Sequence, residues 1–159
     1  MKKELHKIFP LGDENLHSIA HISLYRLLIP ENDDFIIKKI RRALAHQHSF
    51  TIRLNGTEIF AHGNQSKTLV LKIANPEPIN IIYALISREF RTSKRITPHL
   101  TIARKIPIRN FEKINVHDFH RFEEFLCNEI TILKKLEGEE HFTVLTKIPL
   151  INTDHPTQK

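Results

Sequence analysis

Two short stretches of this 159-residue chain share a pattern of side chains that could do chemistry. His21 is followed two positions later by Ser23, in "HISL", and His99 is followed at the same spacing by Thr101, in "HLTI". Alternate residues of a β-strand point to the same face, so each histidine lies beside its hydroxyl while the aliphatic residues face the other side. A single strand of this kind is ordinary, whereas its repeat predicts that the two strands form one site.

The four side chains suit the cleavage of a phosphodiester. Imidazole titrates near neutral pH, so one ring can accept a proton while the other donates one. A hydroxyl can donate a hydrogen bond to a non-bridging phosphate oxygen without carrying a charge of its own. A general base, a general acid and two oxyanion donors are the groups needed to displace an alcohol from phosphorus. The pattern therefore predicts this chemistry without a metal or any other cofactor.

The apolar residues around the motifs predict an α+β domain. Residues 31–46 and 75–90 have the periodicity of amphipathic helices. Asn55-Gly56 interrupts the alternating stretch 50–60, which predicts a hairpin turn at this dipeptide. A short helix and a turn into a strand are predicted within residues 109–125, and strands are predicted at 21–25, 68–74, 98–103, 128–136 and 141–150. Half-buried strands with hairpin signals favour mainly antiparallel sheets with helices on one face.

Length and composition indicate one domain, residues 1–150, followed by a flexible tail, residues 151–159. A chain of 159 residues that is 40% hydrophobic can bury one sizeable core.

The single cysteine, Cys127, excludes an intrachain disulfide and favours a reducing, cytoplasmic location. No apolar run approaches the roughly 18 residues of a membrane span. We expect a monomer without a membrane partner, and the net charge of +6 favours anionic partners.

The paired motifs, 78 residues apart in a basic chain of this size, resemble those of the two-histidine (2H) phosphoesterase superfamily, which includes the 2′-5′ RNA ligase-like proteins. The resemblance covers His21 to about Leu150. It implies a bilobal, pseudo-twofold α+β fold, in which mainly antiparallel sheets form a central cleft with helices on the outside. The two motif strands would lie in the cleft floor, with His21 and His99 as catalytic residues and Ser23 and Thr101 as phosphate-binding hydroxyls.

The same resemblance implies two further substrate-binding residues. Arg104 is similar to an arginine that some members use to bind the substrate phosphate. Strand alternation from His99 turns Arg104 toward the core, unless the strand bulges or ends first; otherwise Lys105 lies on the cleft side. Tyr25 shares the parity of His21 and could stack on a base, although an interior or rim tyrosine is the commoner explanation.

Two regions near the motifs leave alternatives open. The loop 87–95 carries the cations Arg88, Arg91, Lys94 and Arg95, which would either rim the cleft and attract a polyanion or form a solvated connector. Members of the family usually have a strand and a helix before the first motif. Here only twenty residues precede His21, and "HKIFPL" is a poor substitute for a strand. This indicates either a shortened variant or an N-terminally incomplete chain.

The resemblance favours a metal-independent cyclic phosphodiesterase or 2′-5′ RNA ligase-like enzyme. It would hydrolyse 2′,3′-cyclic phosphate, or a related cyclic or 2′-5′ phosphodiester, of RNA ends or small nucleotides. By analogy with the family, His99 activates water and His21 protonates the leaving oxygen, but the residues fit the reverse order equally well. One alternative is an RNA- or nucleotide-binding domain with little or no turnover. Another is a metal hydrolase that uses "HQH" at 46–48 and "HDFH" at 117–120, against which the lack of a second cysteine and of HExxH argues.

Overall fold

The computed structural model describes residues 1–27, 32–91, 95–139 and 141–152. In chain order the elements are α1 (Lys2–Ile8), α2 (Asp13–Leu16), α3 (Asp33–Leu44), β1 (Phe50–His62), β2 (Ser66–Ile73), α4 (Glu77–Glu89), β3 (His99–Pro107), α5 (Ile108–Phe111), a 3₁₀ turn (Val116–Phe119), β4 (Glu124–Cys127), β5 (Glu129–Lys134) and β6 (Thr143–Pro149). One sheet has the strand order β3-β2-β1-β4, and β5 and β6 form a separate two-stranded sheet. The pairings β1–β2, β2–β3 and β5–β6 are antiparallel, which confirms the predicted α+β class.

The chain divides into two compact units. Unit 1 comprises Met1–Leu24, Ile52–Pro76 and Ile96–Glu124, and unit 2 comprises Tyr25–Thr51, Glu77–Arg95 and Phe125–Lys159. Each unit is therefore assembled from three separate segments of the chain. Both histidine motifs belong to unit 1.

The core of unit 1 is organised around β2, which lies between β1 and β3. Leu69 and Val70 are fully buried and Leu71 is nearly so. A run of consecutive buried residues, instead of alternation, is typical of a strand covered on both faces. Leu5 of α1 is also fully buried, so the N-terminal helix is part of this core.

The predicted hairpin turn at Asn55-Gly56 is wrong. β1 continues through this dipeptide, and Gly56 takes a φ of 73° within the strand. The register against β2 shifts between Leu54 and Thr57, so the dipeptide is accommodated as a β-bulge. The turn into β2 comes later, where Gly63 has a φ of 58°. Both glycines supply the positive φ that the local conformation needs, but only the second reverses the chain.

Unit 2 confirms both predicted amphipathic helices. Asn32 caps α3, since its Oδ1 accepts a hydrogen bond of 2.8 Å from the Asp34 backbone N–H. α3 packs against α4, and the buried side chains of the two helices are Ile40, Leu44, Ile79, Ile82, Ile86 and Ser87. No helix in the described ranges combines the length and apolar character that a membrane span requires.

The C-terminal part of unit 2 confirms the two predicted strands as β5 and β6. Ile151 then pairs in a parallel bridge with His48, and its backbone N–H donates to the Gln47 carbonyl at 2.8 Å. Residues 153–159 of the predicted tail lie outside the described residues. The first residue of that tail is therefore bonded to the segment between α3 and β1.

Candidate active site

The two motifs meet through a single backbone bridge within unit 1. Ile22 and Leu100 form an isolated antiparallel bridge, and Leu100 belongs to β3, whose other edge pairs with β2. The predicted second motif strand is confirmed as the start of β3. The predicted regular strand over residues 21–25 is wrong, because Ile22 supplies the one bridge in this described stretch.

The register of this bridge relates the four polar motif residues to one another. In an antiparallel pair, the residues that flank a bridge lie opposite each other and on the other face from the bridged residues. The register therefore places His21 opposite Thr101 and Ser23 opposite His99. The bridge therefore brings the backbones of the four polar motif residues side by side.

Both imidazoles are held by the same local hydrogen bond. His21 Nδ1 lies 2.8 Å from the Ile19 carbonyl oxygen, and His99 Nδ1 lies 2.7 Å from the Thr97 carbonyl oxygen. Because a carbonyl oxygen can only accept, Nδ1 must carry the hydrogen in both rings. Nε2 is then the nitrogen that can accept a proton in the neutral ring or donate one in the charged ring. The two motifs share this tautomer as well as their sequence pattern.

His99 has an aromatic neighbour that sequence reasoning missed. The Phe60 ring of β1 meets the His99 ring at right angles, with centroids 4.9 Å apart. This is a favourable edge-to-face geometry and restricts the orientation of the imidazole. His99 is half-buried, whereas His21 is exposed. No local pattern points to the contact, because β2 lies between the strands that carry the two rings.

Arg104 leaves the core through irregularities in β3. The register of β3 against β2 shifts at two positions, and strict alternation is lost there. Ile102 and Ala103 are consequently both buried, whereas Arg104 and Lys105 are exposed. Asn15 of α2 fixes the backbone of Arg104, accepting from its N–H at 2.8 Å and donating to its carbonyl at 3.2 Å. The bulge that would turn Arg104 away from the core is thus present.

Tyr25 belongs to unit 2 and already has aromatic partners there. Its ring stacks on Phe90 with a centroid separation of 5.3 Å, and it lies 6.5 Å from the Tyr83 ring. The tyrosine is half-buried. This packing accounts for the residue within unit 2, and stacking on a substrate base stays a prediction.

The cationic loop is only partly described. Arg88 is in the last turn of α4, Arg91 has a φ of 52°, and Arg91 and Arg95 are exposed. Lys94 lies outside the described residues. All of these residues belong to the range of unit 2, and their role as a substrate rim stays a prediction.

The histidine pairs considered as metal ligands differ in their surroundings. His117 and His120 have ring centroids 4.8 Å apart in the 3₁₀ turn and its cap. His46 and His48 are exposed after α3, where His48 pairs with Ile151. Across the ranges that the structure describes, no three histidine, cysteine, aspartate or glutamate side chains come together as a metal site would require.

Comparisons with known proteins match this fold. One similar solved structure is titled a phosphoesterase, with 15% identity and a TM-score of 0.53 over 83% of this chain and 77% of that chain. Another is the protein TT0787 of Thermus thermophilus, with 18% identity and a TM-score of 0.51 over 84% of this chain and 79% of that chain. Curated proteins give no significant match. The model of the 2′-5′ RNA ligase superfamily matches residues 10–139, and the chain therefore belongs to this superfamily.

Proposed function

We propose that this protein is a metal-independent phosphodiesterase that opens 2′,3′-cyclic phosphates at RNA ends or on small nucleotides. The observation that supports this most directly is the matched pair of Nδ1–carbonyl bonds at His21 and His99, which leaves Nε2 available on both rings. The Ile22–Leu100 bridge joins the two motifs in one unit. A general acid and a general base of this kind need to lie near one phosphate.

In the proposed step, a water oxygen attacks phosphorus while the bond from phosphorus to the 3′ oxygen breaks. Following the family analogy, Nε2 of neutral His99 takes the proton of the water, and Nε2 of charged His21 gives a proton to the 3′ oxygen. The product is a 2′-phosphate with a free 3′-hydroxyl. His99 ends charged and His21 neutral, and proton exchange with solvent restores the starting state.

The remaining motif residues would stabilise the charge that develops on the phosphate. Thr101 and Ser23 are hydroxyl donors for the non-bridging oxygens, and the exposed guanidinium of Arg104 can bind the phosphate through two parallel N–H bonds. These donors act on the transition state without changing their own charge. The proposed site is therefore complete with side chains of the protein.

The direct test is incubation with 2′,3′-cyclic mononucleotides in the presence of EDTA, with identification of the product isomer by phosphorus NMR. We expect the 2′-phosphate, at a rate that the chelator does not change. An oligonucleotide with a free 5′-hydroxyl, added in a second reaction, distinguishes hydrolysis from ligation because its alcohol competes with water for phosphorus. Binding of the nucleotides without turnover would instead support the alternative of a nucleotide-binding domain.

Replacement of either motif histidine tests the proposed roles. His21→Ala and His99→Ala should each lower turnover by about 10²–10⁴-fold, because general acid or base assistance is lost. His46→Ala is the matched control, since His46 is an exposed histidine of unit 2 outside the motifs. Wild-type turnover in either motif variant, measured on folded protein, would contradict the two-histidine mechanism.

A further inference from the structure

Glu58 of β1 lies in the same row of the sheet as Thr101 of the second motif. The register pairs Glu58 with Val70 of β2, and it pairs Val70 with Thr101 of β3. Residues paired directly across neighbouring strands share a face, so Glu58 and Thr101 are on one face of the sheet. Their α-carbons are two strand spacings apart, which is about 10 Å. This is the scale of one nucleoside, measured from its phosphate to the far edge of its base.

The aromatic neighbour of His99 belongs to the same face. Phe60 follows Glu58 by two positions in β1, and alternate residues of a strand point to the same side. The Phe60 ring meets the His99 ring with a centroid separation of 4.9 Å. Phe60 therefore connects the position of Glu58 with the imidazole of the second motif.

The carboxylate of Glu58 has no partner within the part of the chain that the structure describes. The side chain is exposed, and neither a hydrogen bond nor a cation within 4.0 Å satisfies it. Lys72 is a diagonal neighbour, because it follows Val70 by two positions in β2. Diagonal neighbours are about 7–8 Å apart, within reach of two long side chains, yet these two form no ion pair. The carboxylate is therefore available as a hydrogen-bond acceptor for a ligand.

We propose that Glu58 binds the base of the substrate and selects guanine. The inference rests on the proposed phosphodiesterase function and specifies the base that the substrate carries. Bases are recognised by stacking on an aromatic ring and by hydrogen bonds to the Watson–Crick edge. Phe60 and Glu58 provide one group of each kind on the same face of the sheet. Stacking tolerates every base, so the selection is assigned to Glu58.

Guanine follows from the hydrogen-bonding capacity of a carboxylate. An ionised carboxylate only accepts hydrogen bonds, through two oxygens side by side. On its Watson–Crick edge, guanine presents two adjacent donors, the N1–H and the 2-amino group, which match these two oxygens. Adenine, cytosine and uracil each place an acceptor beside their donor on this edge. That acceptor repels a carboxylate, so Glu58 should discriminate against all three.

The four 2′,3′-cyclic mononucleotides test this selection in the wild-type protein, since they differ only in the base. We expect kcat/KM for the guanosine compound to exceed that for each of the others by about 10-fold or more, the usual discrimination of a bidentate base contact. Most of the difference should appear in KM, because the base is remote from the reacting phosphorus.

Glu58→Gln should remove the preference, because the amide replaces one acceptor oxygen by an N–H donor. kcat/KM should fall for the guanosine compound and should not fall for the uridine compound. Glu112→Gln is the matched control, since Glu112 is an exposed glutamate of unit 1 that follows α5 and lies outside the sheet. This control should keep the full preference for guanine.

Equal kcat/KM on the four compounds in the wild-type protein would overturn the selection of guanine and leave the proposed phosphodiesterase intact. An equal loss on all four in Glu58→Gln would overturn it too, since Glu58 would then act on a group that every substrate has. Absence of turnover on every compound would instead contradict the proposed function. Calorimetric binding of the four nucleotides then tests the selection by itself: tighter binding of the guanosine compound supports it, and equal affinities overturn it.

Discussion

At the scale of single residues, the register around Ile22 and Leu100 relates the hydroxyls of the two motifs as well as their histidines. It places the backbone of His21 opposite Thr101 and that of Ser23 opposite His99, so in the proposed site each of the two segments offers a phosphate one proton-transfer group and one oxyanion donor. A histidine pair alone would not need hydroxyls at these positions. The hydroxyls therefore distinguish the proposed mechanism from a simple pair of surface histidines.

Thr101→Val should lower kcat by about 10²–10³-fold, the usual cost of removing one oxyanion donor. Valine keeps the β-branched shape of threonine, so the half-buried position in β3 should still pack. Ser23→Ala, at the exposed position opposite His99, should have a similar effect. Steady-state kinetics on a cyclic mononucleotide provide the measurement.

The control for these variants is Thr131→Val, which removes the hydroxyl of an exposed threonine in β5 of unit 2. Its kinetics should match the wild-type protein. Near-normal turnover in both Thr101→Val and Ser23→Ala, at unchanged melting temperature, would mean that the two hydroxyls have no role in catalysis.

At the scale of elements, irregular backbone in β3 determines where Arg104 lies. The shifts of register in β3 bury Ile102 and Ala103 together and release Arg104 to the surface. Asn15 of α2 then fixes the backbone of Arg104 with two hydrogen bonds. A regular strand of the same sequence would direct this arginine into the core.

Gly56 is the corresponding irregular position in β1, and its replacement should lower the free energy of unfolding. A β-carbon at Gly56 would meet the His120 ring at 3.8 Å, which is ordinary contact, so sterics with neighbours are not the problem. The cost comes from the φ of 73°, because a residue with a β-carbon is less stable in this left-handed conformation by about 1–2 kcal/mol. Gly56→Ala should therefore lower the free energy of unfolding in urea by about this amount.

Gly12→Ala is the matched control for Gly56→Ala. Gly12 has a φ of −63°, and a β-carbon there would have no neighbour within 4 Å. Its unfolding free energy should stay within about 0.5 kcal/mol of the wild-type value, since the reduced freedom of the unfolded chain offsets a weaker cap. Equal losses in the two variants would show that the conformation of Gly56 does not determine the cost.

The same bulge shows where local sequence reasoning reaches its limit. The amphipathic helices α3 and α4 were predictable because their periodicity extends over three turns. Asn55-Gly56 fits a hairpin turn and a bulge equally well, and only the continuing ladder with β2 selects the bulge. The Phe60–His99 contact depends on strand order across β2, which no local pattern encodes.

At the scale of the whole molecule, the repeated motif predicted more than composition did. Two copies of histidine–x–hydroxyl, 78 residues apart, pointed to the superfamily that the family model identifies. Composition indicated only a basic chain with one core. The sequence did not reveal that helices α1 and α2 precede the first motif, because Leu5 is the one buried residue of α1 and α2 has none, which is too few to give an apolar periodicity.

The free energy of unfolding should change with pH in the alkaline range through two groups, whose contributions change in opposite directions. Burial raises the pKa of the Cys127 thiol above its ordinary value of 9.0, so the unfolded chain loses this proton first. The contribution of Cys127 to the unfolding free energy therefore falls as pH rises above 9.0. Burial and the charge of Arg104 lower the pKa of Lys2 below 10.5, so here the folded chain loses the proton first. The contribution of Lys2 rises over the range between its lowered pKa and 10.5.

Urea unfolding of the wild-type protein, Cys127→Ala and Lys2→Gln between about pH 7.5 and 10.5 measures both signs. The stability of Cys127→Ala relative to the wild type should increase as pH rises above 9.0, because the variant has no thiol to ionise. The stability of Lys2→Gln relative to the wild type should instead decrease toward pH 10.5. At lower pH the partly buried, charged ammonium reduces the unfolding free energy of the wild type, and this destabilisation disappears as Lys2 loses its proton. Parallel curves for all three proteins would contradict the burial of both groups.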